Sequence, residues 1–205
     1  VVMGPRQVGK TTGIMQLLKE MDSSEYVYIS ADGDIFQPSS WILEQWILAN
    51  KKQKNRLLII DEIQKVENWA EAIKKLWDEQ KFKNEKKQKL ILLGSSSLKL
   101  QKGLSESLAG RFLIHPVYHW SLEESTEAYN LDFEDYLVYG GYPGSYPFIK
   151  QKNEWLHYMK NSIINPVLGK DILQVAHVKS PALFKQCFDL VCAYPAQEIS
   201  YTKLL

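Results

Sequence analysis

Gly4-Pro5-Arg6-Gln7-Val8-Gly9-Lys10-Thr11-Thr12 satisfies the pattern G-x-x-x-x-G-K-[ST] at every fixed position, and no other stretch of the chain constrains the fold as tightly. Gly4 and Gly9 permit a tight turn and a close backbone approach, so that the N–H groups of Arg6, Gln7, Val8 and Gly9 converge on the phosphates of a nucleotide. The helix expected over residues 11–21 adds the positive end of its dipole. Lys10 would reach the β- and γ-phosphate oxygens as a point charge. The Thr11 hydroxyl would complete a Mg²⁺ shell, and Thr12 is placed to touch the α-phosphate. The competing reading is a glycine turn before an ordinary helix, with Lys10 solvated. The context speaks for the loop: Val1-Val2-Met3 ends a buried strand, and Ile14, Leu17, Leu18 and Met21 recur at helical spacing after it.

Leu57-Leu58-Ile59-Ile60-Asp61-Glu62 is the second strong motif. Four branched aliphatics in a row describe a strand covered on both faces, as in a parallel sheet. The two carboxylates arrive at its C-terminal end, where such sheets bind ligands. Asp61 would hold Mg²⁺ through water, and Glu62 would activate the water that attacks the γ-phosphate. An acidic turn after a strand is the alternative. Its pairing with the glycine loop favours the metal and water roles.

The remaining pattern alternates strands and helices. Tyr26–Ser30 is a second strand, followed by a turn over residues 31–34. A serine of Pro38-Ser39-Ser40 is the expected cap of a helix carrying Trp41, Ile42, Trp46 and Ile47. A helix through Ile63, Val66, Trp69, Ile73, Leu76 and Trp77 precedes a fourth strand, Leu90–Leu93. At that strand's tip Ser95 is placed either to sense the γ-phosphate or to cap the next helix. That helix spans roughly residues 98–108 and ends at Gly110. Arg111 opens a fifth strand, Phe112 to Val117; its guanidinium is either an arginine finger, in cis or on a neighbouring subunit, or half of a structural salt bridge. Beyond Trp120 only helical signals follow: Ser121-Leu122-Glu123-Glu124 as a start, residues 132–139, a turn at Gly140-Gly141-Tyr142-Pro143-Gly144, then residues 153–165 and 181–193.

Composition narrows the class. Among 205 residues 45% are hydrophobic and 24% charged, with a net charge of +1, so any nucleic-acid surface must be local. Apolar runs reach about four residues against the ~20 of a membrane span. Cys187 and Cys192 are expected as reduced, mostly buried thiols on a helix, consistent with a cytoplasmic setting. With three residues before Gly4, no initiator Met and an end at Leu205 inside a helical signal, the chain is expected to be a fragment.

The pieces GPRQVGKTT, IIDEIQKVENW, LLGSSSLKL, GLSESLAGRF and GGYP together resemble the prokaryotic AAA-type ATPases that usually carry a C-terminal domain of nuclease-like fold. The segment Val117-Tyr118-His119-Trp120-Ser121 and the residue Gly144 depart from that family's usual pattern. The resemblance implies ATP and Mg²⁺ as ligands, slow hydrolysis, a helical lid and a winged-helix segment. ATP is further favoured because no guanine-reading N-K-x-D motif is present. The expected fold is an α/β P-loop NTPase with a doubly wound parallel sheet of order 5-1-4-3-2. Residues 1–120 would form the ATP-binding core, 121–180 the lid, and 181–205 the start of a winged helix-turn-helix.

Function is expected as Mg²⁺-dependent ATP hydrolysis that gates a conformational change. The alternatives are a nucleotide switch with negligible turnover and an ATP-licensed nucleic-acid-binding module, and a homo-oligomer is compatible with each. The third rests on two basic loops, Lys51, Lys52, Lys54 and Arg56 before the third strand and Lys81, Lys83, Lys86, Lys87 and Lys89 before the fourth. Adjacent strands would make them one patch for nucleic acid or an acidic partner, or they are two solvated loops. It rests also on Phe184, Phe188, Leu190 and Val191, an apolar helix face like the entry to a helix-turn-helix.

Overall fold

The computed structural model describes residues 1–33, 38–51, 57–82, 88–95, 98–171, 180–198 and 200. Lys52, Lys54, Arg56, Lys83, Lys86 and Lys87 lie outside these, so the proposed basic patch falls largely beyond the described residues. Ser96, Ser97 and the helical signal after Glu198 do so too, Ser200 apart. Five strands form one parallel sheet: β1 (Val2–Gly4), β2 (Tyr26–Ser30), β3 (Leu57–Asp61), β4 (Lys89–Ser95) and β5 (His115–Pro116). Their order is β2-β3-β4-β1-β5, which read from the other edge is the expected 5-1-4-3-2.

The aliphatic run of β3 is buried at every position because both sheet faces are covered. Its side chains alternate between two cores, as a period of two requires. Leu58 and Ile60 join Leu92, Ile42, Trp46, Trp69, Ile73, Leu100 and Leu104 on one face. Leu57 and Ile59 join Leu93 with Ile14 and Leu18 on the other. Thus α2 (Ser39–Asn50), α3 (Trp69–Phe82) and α4 (Leu98–Ser107) cover the first face, while α1 (Lys10–Lys19) packs on the second.

Several boundaries shift for local reasons. Pro38, not a serine, occupies the cap position of α2, which has no side-chain cap, and Ile47 is exposed. The helix expected from Ile63 is interrupted: a short 3₁₀ turn at Ile63–Lys65 gives way to extended Val66 and to Asn68 at φ 49° before α3 begins. β5 is shorter than Phe112–Val117. Its pairing is carried by His115 N–H to Val1 O and Val117 N–H to Met3 O, both 2.8 Å.

Beyond β5 every regular element among the described residues is helical: α5 (Leu122–Tyr129), α6 (Phe133–Tyr139), α7 (Lys152–Tyr158) and α8 (Pro181–Cys192). α5 opens on a full capping box, Ser121 and Glu124 each bonding the other's backbone N–H. Asp132 caps α6. α7 runs on through wider π-type turns at Met159–Ile164 and Val167–Asp171, past the expected end at residue 165. Contacts divide the chain into a unit ending at Tyr146 and one beginning at Pro147. In the second, Ser180 caps α8, and both Cys187 and Cys192 are exposed, contrary to the expected burial. Phe184, Phe188 and Leu190 are half-buried on that helix and Val191 is exposed. Among the described residues no helix is long and apolar enough to cross a membrane.

Candidate functional site

The loop between β1 and α1 is shaped by three conformational demands. A Cβ on Gly4 would stand 2.0 Å from the Val117 carbonyl oxygen, so the backbone just after β5 admits only glycine here. Gln7 sits at φ 60° and Gly9 at φ 96°, the left-handed region where glycine carries no steric cost. Gly9 is also the cap residue of α1, which has no side-chain cap. The first N–H groups of a helix have no intrahelical acceptor, so those of Lys10, Thr11 and Thr12 face the loop's mouth as donors suited to an anion.

Lys10 Nζ donates to Gly4 O at 3.0 Å and to Pro5 O at 2.5 Å, drawing the ammonium back across the loop. Burial lowers its pKa, Glu62 and Asp61 act against that, and the nearby Arg6 charge lowers it further. Val8 is buried beneath the loop, and its carbonyl accepts from Trp120 Nε1 at 3.1 Å.

The parallel register brings the tips of β1, β3 and β4 together at one edge of the sheet. Thr11 Oγ1 donates to Asp61 Oδ2 at 2.7 Å. Asp61 is buried and accepts two further bonds, from Tyr28 OH to Oδ2 at 2.9 Å and from the Glu62 N–H to Oδ1 at 2.8 Å. Glu62 takes φ 53°, which ends β3 and turns the second carboxylate off the sheet. Gln64 Nε2 donates to Glu62 Oε2 at 2.5 Å and lies 3.3 Å from Ser95 Oγ. One amide therefore links the second carboxylate to the buried hydroxyl at the tip of β4.

Arg111 is not brought to this cluster. It lies at the opposite edge of the sheet, ahead of β5, where its guanidinium meets Asp78 of α3 through Nε at 3.1 Å and Nη2 at 3.2 Å. Thr12 is exposed on the first turn of α1.

Three residues of this arrangement carried no sequence signal of their own. Tyr28 reaches Asp61 because β2 pairs with β3 in the register Tyr28↔Ile59, which puts Tyr28, Ile59 and Asp61 on one face. Gln64 and Trp120 lie within recognisable stretches, but their partners are set by tertiary packing. The burial of Tyr28 and its bond to Asp61 push the phenol's pKa well up, so the hydroxyl stays a donor.

The donor set fits a nucleotide and its cation. A left-handed glycine turn, uncapped helix N–H groups and a lysine suit phosphate oxygens, and a hydroxyl paired with a carboxylate offers the hard oxygen ligands Mg²⁺ takes.

A parallel sheet of this order, with the loop at the tip of its first strand, defines a P-loop nucleotide-binding protein of the α/β class. The chain belongs to the AAA domain family, whose model matches residues 1–126, a domain of ATPase-like nucleotide-binding type. A second model, of a domain of unknown function, matches residues 130–205. The chain is 23% identical over its full length to an uncharacterised protein of Methanocaldococcus jannaschii, of which it covers 48%. It is 24% identical, again over its full length, to an uncharacterised protein of Haemophilus influenzae, of which it covers 53%. The chain thus spans about half the length of the curated relatives it matches.

Proposed function

We propose that this chain is the catalytic part of an Mg²⁺-dependent ATPase. The observation that carries the reading is the junction of Thr11 with Asp61, followed at once by Glu62, at the mouth of the glycine loop. In this reading Lys10 and the backbone N–H groups of residues 6–12 hold the triphosphate. Thr11 and Asp61 hold Mg²⁺, which when bound supplies charge neutralisation across the β- and γ-phosphates. Glu62 accepts a proton from the attacking water, and Gln64 holds Glu62 while Ser95 completes the γ-phosphate side. Residues 1–120 form the nucleotide core, and the helical segment from Ser121 acts as its lid. The described geometry supports no finger role for Arg111 within its own chain, so a catalytic Arg111 acts on a neighbouring subunit.

The test is Mg²⁺-dependent phosphate release by the full-length protein and its Lys10→Ala, Glu62→Gln and Arg111→Ala variants. Turnover abolished by the first two changes supports the ATPase. Rescue of Arg111→Ala by mixing with Glu62→Gln supports a finger in trans. A second reading, a tight-binding switch with negligible turnover, is favoured by the engagement of Glu62 with Gln64. ATP binding without measurable phosphate release would replace the first reading by the second.

A further inference from the structure

The peptide joining Val8 to Gly9 is held from outside the loop. Trp120 Nε1 donates to Val8 O at 3.1 Å across 112 positions of sequence. In a planar trans peptide the C=O and the following N–H point in opposite directions, and no cis peptide is present among the described residues. Fixing Val8 O toward the indole therefore aims the Gly9 N–H away from it. A Cβ on Gly9 would have the indole nitrogen 4.0 Å away as its nearest neighbour, so φ rather than space restricts that position.

The indole itself is fixed by residues beyond β5. Trp120 N–H donates to Gly141 O at 3.0 Å, and Trp120 O accepts from Tyr136 OH at 2.7 Å. A Cβ on Gly141 would lie 2.3 Å from that same carbonyl oxygen, so the close approach requires glycine. Around the ring, Tyr129 and Tyr146 sit with centroids 6.0 and 6.4 Å away and meet each other edge-on at 4.9 Å. Helices α5 and α6 and the following turn thus set where the indole N–H points.

We propose that Trp120 is a positioning residue for nucleotide binding: its indole N–H orients the Val8–Gly9 peptide so that the Gly9 N–H faces the phosphates, and its backbone ties that peptide to the α5–α6 segment. The proposal rests on the nucleotide-binding reading above and adds to it the route by which the helical segment governs affinity.

Three variants of the full-length protein test it, with ATP and ADP affinity measured calorimetrically in Mg²⁺ and with steady-state turnover. Trp120→Phe keeps an aromatic ring and removes the N–H. Tyr136→Phe removes the bond to the Trp120 carbonyl from a residue on α6. Tyr146→Phe removes a buried hydroxyl that bonds Ser125 and Gly140 without addressing Trp120's polar groups. Trp120→Phe is expected to weaken binding about 3- to 10-fold, the worth of one neutral hydrogen bond. The loss should fall on Kd and KM with kcat unchanged, Tyr136→Phe should show a smaller loss of the same kind, and Tyr146→Phe should lower Tm with affinity intact. Affinity within twofold of the parent in Trp120→Phe would overturn the proposal, as would an equal loss in Tyr146→Phe. If Trp120→Phe does not fold, Tyr136→Phe decides: a measurable loss supports the proposal, and affinity indistinguishable from the parent overturns it. A parent that binds neither nucleotide removes this proposal together with the reading it rests on, whereas a parent that binds normally isolates the role of Trp120.

Discussion

Thr11 and Asp61 are joined hydroxyl to carboxylate at 2.7 Å, and the oxygen that accepts this bond also accepts Tyr28 OH at 2.9 Å. Loop, sheet edge and neighbouring strand thus meet on a single atom. Groups that orient a ligating carboxylate affect metal affinity even though they never touch the metal. Tyr28→Phe is expected to raise the Mg²⁺ concentration needed for nucleotide binding about tenfold. It should leave metal-free nucleotide affinity unchanged and cost about 1 kcal/mol of stability. Mg²⁺ titrations and urea unfolding measure the two effects; an unchanged Mg²⁺ requirement would show that Asp61 needs no help from β2.

Lys10 has a pKa below the ordinary 10.5 because burial disfavours its charged form. The sign follows: holding the ammonium charged destabilises the nucleotide-free fold below the lowered pKa, and this cost fades as pH rises through it. Phosphate favours the charged form and restores the pKa. Binding ATP is therefore expected to take up protons, increasingly as pH rises toward the lysine range. Calorimetry in buffers of different ionisation enthalpy reads the uptake directly, and Lys10→Met should abolish it. Proton release on binding would contradict the assignment.

Gln64 is the one bridge described between Glu62 and Ser95, so its removal should disturb catalysis more than binding. Gln64→Leu is expected to lower kcat about tenfold, less than the roughly 10²–10⁴-fold that a proton-transfer group itself contributes because Gln64 only orients Glu62, with ATP affinity unchanged. Single-turnover phosphate release against calorimetric Kd separates these. Equal loss in both would assign Gln64 to packing alone.

Gly141 faces the Trp120 backbone so closely that any side chain must displace main chain, not a flexible side-chain end. Gly141→Ala should destabilise the unit ending at Tyr146 by about 1–3 kcal/mol, as overpacked sites do. Gly13→Ala, where nothing lies within 4 Å of the added Cβ and the backbone is already helical, should be neutral or stabilising. Denaturant midpoints compare the two, and equal effects would refute the steric argument.

Legibility in the sequence followed the range of the interactions involved. The loop, the aliphatic run of β3 and the cap at Ser121 are local: each states its own turn, burial or hydrogen bond within a few residues, and the sheet order follows from the class they define. Tyr28, Gln64 and Trp120 were silent because their partners are set by strand register and by the approach of distant backbone. Arg111 was ambiguous for the same reason. One arginine ahead of a strand is compatible with a ligand or an ion pair, and only the placement of Asp78 on α3 distinguishes them within the chain. The cysteines misled because two thiols on an amphipathic helix resemble core residues, whereas their helix turns both outward.

The uneven dressing of the sheet links ligand to fold. Ile14 and Leu18 of α1 close over Ile59 and Leu93, while three helices share the other face. The helix whose first turn would receive phosphate in the proposed reading also covers a hydrophobic half-core, so detaching it would uncover that face of β3 and β4. Ligand held at its N-terminus then acts by mass action against that opening. Amide exchange in the middle of β3 and β4, far from any phosphate, becomes a gauge of how tightly the loop is occupied.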